Sequence, residues 1–293
     1  MAAPLAGVVA APAKAAAMSL YNGQIALEIS GDVPKDLLAV IPHWVEQSAA
    51  DVSLYYGKFP VPKVLIEMPV GPGKGVRGGK SYPGDVPTIE APVGRASTEK
   101  NLMTGDWVMV HEMIHLAFPY LDGEHNWMHE GIAVYVESIA RVQAGHLPPE
   151  QIWGDFASQM PKGLPEEGDG GFDQGYSWGR TYWGGAMFCL LADIEIRKRT
   201  GNAKGLQHAL RGINAERDFR ALWPFRETLE LGDRATGQTV LIEFYDRMKE
   251  TPEKPDLAAL WQQLGVAVKD GAIVFDGAAK MASIRKALTA PLA

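Results

Sequence analysis

The sequence predicts an α+β protein, with a small strand-containing N-terminal part and a mainly helical remainder. Three observations predict it. Residues 24–29 and 64–68 alternate apolar and polar side chains with the period of half-buried strands. An apolar run over residues 108–118 reads as a buried helix, and from Gly123 onward the patterning is mainly helical. At 293 residues, 46% hydrophobic and 22% charged, the chain is long enough for one large domain or for two lobes around a cleft.

The elements follow in order. Residues 1–20 read as a leader. Residues 4–12 are small and apolar, and Ala13-Lys14-Ala15 has the form of an A-x-A cleavage site, although a basic segment before it is missing. A signal remnant points to a periplasmic or secreted protein; a cytoplasmic one is the alternative. An N-terminal lobe over residues 21–122 then holds the strand 24–29, an amphipathic helix over 34–49 with Pro42 as the place for a kink, and the strand 64–68. Residues 71–85, rich in Gly, Pro and Lys, predict a mobile rim, and residues 87–93 a short strand. Thr104-Gly105-Asp106 offers cap residues for the helix over 108–118, which Pro119 ends. The second lobe, residues 123–293, carries predicted helices over 126–144, 151–160, 186–199, 206–213 and 239–250, and a Gly- and acid-rich surface loop over 163–175. It closes with a helix, a hairpin turning at Asp270-Gly271, and a last helix over 284–288.

The chemistry is concentrated in His111-Glu112-Met113-Ile114-His115, an H-E-x-x-H pattern inside the first apolar helix. Residues four apart lie on one helical face, roughly 6 Å between side-chain roots, so both imidazoles can close on one small cation. Glu112 points around the helix from that face, where it can serve as a general base. An ionised Glu between two buried His is costly unless something compensates it, and one zinc ion does so. A catalytic zinc takes three protein ligands, and Glu130, near the start of the following helix, fits as the third. Nitrogen and carboxylate donors favour zinc, with cobalt or manganese as substitutes. His125 and His129 lie close by in polar surroundings, where a solvated His is the ordinary case. Glu137 stands two turns after Glu130; it either accepts an N–H from a liganding imidazole or faces solvent.

His111-Glu112-x-x-His115 followed by Trp127-x-x-Glu130-Gly131-x-Ala133-x-Tyr135 resembles the gluzincin clan of zinc metallopeptidases, in its aminopeptidase-like branch. The C-terminal helix, hairpin and helix are similar to the end of glycyl aminopeptidase-like proteins. The resemblance implies a zincin, thermolysin-like fold with the active site between two lobes. It implies His111, His115 and Glu130 as ligands, Glu112 as base, and a peptide or protein as substrate. Tyr182, in a stretch similar to the clan's Y-x-x-G-A helix start, is implied as the donor to the oxyanion; Tyr176 is the alternative, and Arg180 is a candidate for a substrate carboxylate. Glu90, in the short strand, is a candidate to hold a peptide's free amine, although the clan's G-x-M-E-N form is absent. The gap from His115 to Glu130 is shorter than in familiar aminopeptidases, so the connection must be tighter. Aminopeptidase action is the expectation, with an endopeptidase, an esterase or a non-catalytic zinc-bearing peptide-binding module as alternatives.

A net charge of -7 without a basic cluster argues against a nucleic-acid partner. Cys189, alone in its chain, reads as a small core residue in an apolar helix. No run of eighteen apolar residues is present to span a membrane.

Overall fold

A computed structural model describes residues 14–20, 23–174 and 177–292. The chain opens on a sheet. Strands β1 (Lys14–Leu20) and β2 (Gly23–Gly31) pair antiparallel, and helix α1 (Lys35–Tyr56) carries the chain across to β3 (Lys63–Gly71), which runs parallel to β2. Residues 14–20 of the expected leader thus belong to the sheet; residues 4–13 lie outside the described ones. Beyond β3 come β4 (Lys80–Tyr82), β5 (Thr88–Glu90) and the short β6 (Val93–Gly94). The order is β1-β2-β3-β5-β4, with β6 also on β3.

Two expectations change here. Residues 87–93 supply not an edge strand but β5, parallel to β3 and antiparallel to β4. The edge is β4, formed inside the segment read as a rim, where Lys80-Ser81-Tyr82 is too short for alternation to reveal it. Helix α1 also continues past the expected end at residue 49 to Tyr56, because apolar positions follow Ala49 with Val52, Tyr55 and Tyr56, all buried.

The sheet is one-sided. Ile25, Leu27 and Ile29 alternate with exposed residues along β2, and they meet Val64, Ile66 and Met68 of β3 and Ile41, Trp44 and Val45 of α1 in the core. Helix α2 (Glu99–Met103) leads to α3 (Val108–His115), every residue of which is buried. A single 3-10 turn, Gly123–His125, then starts α4 (Asn126–Gln143), which is the tight connection that the motif spacing requires. The remainder is helical: α5 (Pro149–Gln159), α6 (Gly185–Thr200), α7 (Leu206–Glu216), α8 (Phe225–Thr236) and α9 (Val240–Met248). The sequence reading missed α8 and found the others within a few residues. The close is as expected: α10 (Leu257–Leu264), a hairpin of β7 (Val266–Lys269) and β8 (Ala272–Phe275), and α11 (Ala282–Leu288). Asp270 and Gly271 both take positive φ, 50° and 78°, as a tight two-residue hairpin demands.

One contact sets the spacing of the site. Gly131 of α4 and Gly185 of α6 meet backbone to backbone, so closely that a Cβ on Gly131 would lie 2.3 Å from the Gly185 carbonyl carbon. Gly131 and Gly185 therefore let the helix carrying Glu130 lie directly against the turn carrying Tyr182. No helix among the described residues is long and apolar enough to cross a membrane.

Candidate active site

Helix α3 starts where its sequence says it should. The Asp106 carboxylate accepts from the Val108 and Met109 amides at 3.1 and 3.0 Å, capping the first turn. His111 and His115 then share one face, their rings edge-on with centroids 4.8 Å apart. Glu130 reaches that face from α4. Its Oε2 lies 3.2 Å from His111 Nε2 and 3.6 Å from His115 Nε2. Tetrahedral bonds of about 2.1 Å put ligand atoms about 3.4 Å apart, and the distances of Glu130 Oε2 to the two imidazole nitrogens lie on either side of that value. His111, Glu112 and His115 are each at most 6% exposed, and a cluster of buried imidazoles and carboxylates is stabilised by a cation among them.

The electrostatics agree with a cation site. Burial raises the Glu130 carboxyl, but hydrogen bonds from His111 and His115 outweigh it and hold the group well below the usual carboxylate range. Burial lowers His111; in His115 the Glu130 interactions overcome burial and raise it.

On the side away from Glu130 the imidazoles are backed by rings rather than by hydrogen bonds. The Nδ1 atoms of both His111 and His115 are buried with no partner. His129 stacks on His115 at 4.4 Å with planes 4° apart, and Phe219 backs His129 at 5.7 Å. Trp107 packs edge-on to His111 at 5.4 Å, and Tyr182 lies parallel to it at 6.4 Å.

Glu112 is held from the sheet. The Ser81 hydroxyl lies 2.8 Å from its Oε2 and 2.9 Å from its carbonyl oxygen, and its one proton serves either acceptor. Gly79 packs on the same side chain, where a Cβ would fall 2.5 Å from Glu112 Cγ. Tyr182 sits in a π-helical turn, Arg180–Gly184, a local irregularity common at functional sites. Burial, with the nearby charges of Glu130 and Glu112, pushes its hydroxyl up to about 12, so it stays a donor.

These groups line one cavity of about 1000 Å³, together with Trp107, Tyr120, Trp178 and Phe219. Other sequence candidates lie elsewhere. Glu137 meets no imidazole and is mostly buried: it accepts from Arg141 at 3.2 Å and from Ser138 at 3.1 Å, while Arg141 also donates to the Thr104 carbonyl. Glu90 is not among the residues lining the cavity; it sits in β5, paired with Glu67 and Lys80. His125 is engaged by Asp122 at 2.7 Å and by the Tyr245 hydroxyl at 3.0 Å. Arg180 is buried, donating to the Gly163 carbonyl at 3.1 Å and stacked on Phe172. Tyr176 lies outside the described residues. Sequence reasoning missed Ser81, Gly79, Trp107 and Phe219; the pair Gly78-Gly79 in a predicted loop was the one available signal of close backbone approach.

The fold is a mixed helix and strand domain shared with M1 zinc metallopeptidases. No family model matches the sequence, and no curated protein does. Among solved structures, an aminopeptidase N family protein from Idiomarina loihiensis is similar over 88% of this chain and 50% of its own, with a TM-score of 0.60 and 14% identity. An M1 zinc metallopeptidase from Deinococcus radiodurans matches over 84% of this chain and 53% of its own, with a TM-score of 0.54 and 12% identity. A two-domain M1 zinc metallopeptidase variant bound to L-arginine matches over 84% and 54%, with a TM-score of 0.53 and 13% identity. The chain spans about half the length of these structures.

Proposed function

We propose that this chain is a zinc-dependent peptidase of the gluzincin type, with His111, His115 and Glu130 as ligands to one zinc ion. The observation that carries the reading is the convergence of Glu130 Oε2 on both imidazole Nε2 atoms, with Glu112 beside them. A zinc ion bound there supplies positive charge that acidifies water and polarises the substrate carbonyl.

The remaining chemistry belongs to the chain. Glu112 takes a proton from the attacking water and returns it to the departing amine. Ser81, by donating to Oε2, fixes which way the Glu112 carboxylate points. The Tyr182 hydroxyl, kept protonated, donates to the oxygen on which negative charge develops. Among the described residues edge strand β4 pairs only with β5, and its outer edge would align an extended peptide backbone. The reading sets the site between an N-terminal lobe, residues 21–122, and a helical lobe, residues 123–293. The closing helix, hairpin and helix support a likeness in fold to the glycyl aminopeptidase-like proteins, a likeness that does not fix where along a peptide the cut falls. A periplasmic or secreted setting remains part of the proposal.

The test is hydrolysis of a mixed peptide library by zinc-loaded protein. Glu112→Gln is expected to bind zinc as the parent does and to lose about a thousandfold or more in kcat, and Tyr182→Phe to lose about a hundredfold. Full turnover by Glu112→Gln with zinc in place would remove Glu112 as the base.

A further inference from the structure

The cavity that holds the proposed metal ligands has an unusual wall for a site that grips amino termini. A free α-amine is a cation and needs a carboxylate that is not otherwise occupied. Among the described residues, the acids lining the cavity are Asp106, Glu112 and Glu130. Each already has a part to play: Asp106 accepts from the amides of Val108 and Met109, Glu130 reaches both imidazoles, and Glu112, which accepts from Ser81 through Oε2, is the proposed base. The other charged groups on the wall are Lys74 and Lys80, which repel an ammonium.

What the wall offers instead is aromatic surface. Of the eight large hydrophobic side chains exposed among the described residues, four line this cavity: Tyr82, Trp107, Tyr120 and Trp178, each at least 44% exposed. Two of them touch the proposed catalytic groups. Trp107 packs against His111, and Trp178 stacks on Tyr182 at 5.5 Å, with planes 22° apart. Trp178 is 60% exposed, so its indole presents a broad apolar surface to the cavity mouth. Exposed aromatic surface gathered in a concave site marks where an apolar ligand is desolvated.

We infer that the site cuts peptides internally, next to large apolar or aromatic side chains seated against Trp107 and Trp178, and takes nothing from a free amino terminus. This rests on the peptidase reading above and names its substrate class. Each aromatic side chain buried against an indole favours the bound state, and selectivity follows from the apolar area removed from water.

The experiment uses zinc-loaded protein and four peptides that differ only at the susceptible bond and at the amino terminus. Two carry Phe and Leu on either side of the susceptible bond and two carry Ser and Gln there; one of each pair is N-acetylated. Cleavage sites and kcat/KM are read by mass spectrometry, and binding to Glu112→Gln by intrinsic tryptophan fluorescence. The expected result is internal cleavage, with acetylated and free forms within about threefold and the Phe/Leu pair favoured about tenfold or more. Trp178→Ala is expected to cut that preference at least about fivefold. A tenfold loss on acetylation, or equal rates for the two pairs, overturns the inference. If no peptide is cut, the binding arm decides separately. Selective binding of the acetylated Phe/Leu peptide then supports the cleft assignment while the peptidase reading falls, and absence of selective binding overturns the inference itself.

Discussion

His129 lies face to face with His115, ring centroids 4.4 Å apart and planes 4° from parallel, with Phe219 stacked behind it. Because His115 Nδ1 has no hydrogen-bond partner, this stack does the orienting that a carboxylate or carbonyl does at many histidine metal sites. His129→Ala should therefore weaken zinc binding about tenfold in a chelator competition, whereas His129→Phe, which keeps a flat ring, should stay within about threefold. Equal weakening by both would make His129 a ligand or a fold element rather than a ring support.

Gly79 and Ser81 hold Glu112 from the sheet side. Gly79→Ala places a Cβ 2.5 Å from Glu112 Cγ and forces the carboxylate to move, so kcat should fall about a hundredfold with zinc content unchanged. Ser81→Ala removes one charge-assisted hydrogen bond to Oε2 and should cost about tenfold in kcat, with little change in KM. A shift confined to KM would place both residues in substrate binding only.

Gly131→Ala should destabilise the fold by about 3 kcal/mol, because the added methyl meets the Gly185 backbone, which has no flexible end to move aside. Chemical denaturation reads this as a lower midpoint. An unchanged midpoint would mean that α4 and α6 separate without cost.

Glu137 gives stability a dependence on pH. Burial, only partly offset by Arg141, raises its carboxyl from 4.5 to about 7. The folded chain therefore keeps a proton on Glu137 that the unfolded chain loses near 4.5. Between those values the native state binds more protons, so stability falls as pH rises from about 4.5 to about 7, by at most about 1.4 kcal/mol per pH unit for this one group. Glu137→Gln should flatten that slope. Denaturation midpoints at pH 5 and pH 7 measure it, and an unaltered slope would contradict the assignment.

The meeting of the three proposed ligands was legible in the sequence because it depends on local spacing. His111 and His115 share a face through helical periodicity alone, and Glu130 needed only a tight connection, which the 3-10 turn at Gly123–His125 provides. Aromatic support and base positioning were not legible. Phe219 and Ser81 are far from the motif in sequence, and their proximity follows from how α3 packs against β4 and the loop before α8. Glu137 showed the limit of reading one helix alone. Its spacing suits a partner for an imidazole, but Arg141, one turn on, takes it.

If one zinc ion is held jointly by His111, His115 and Glu130, zinc titration with a competing chromophoric chelator reads it without relying on turnover. The parent should take up one equivalent. Glu130→Gln, which keeps the shape but loses the charge, should bind at least about a hundredfold more weakly. Parent and variant binding zinc equally, or a parent that binds none, would contradict the account.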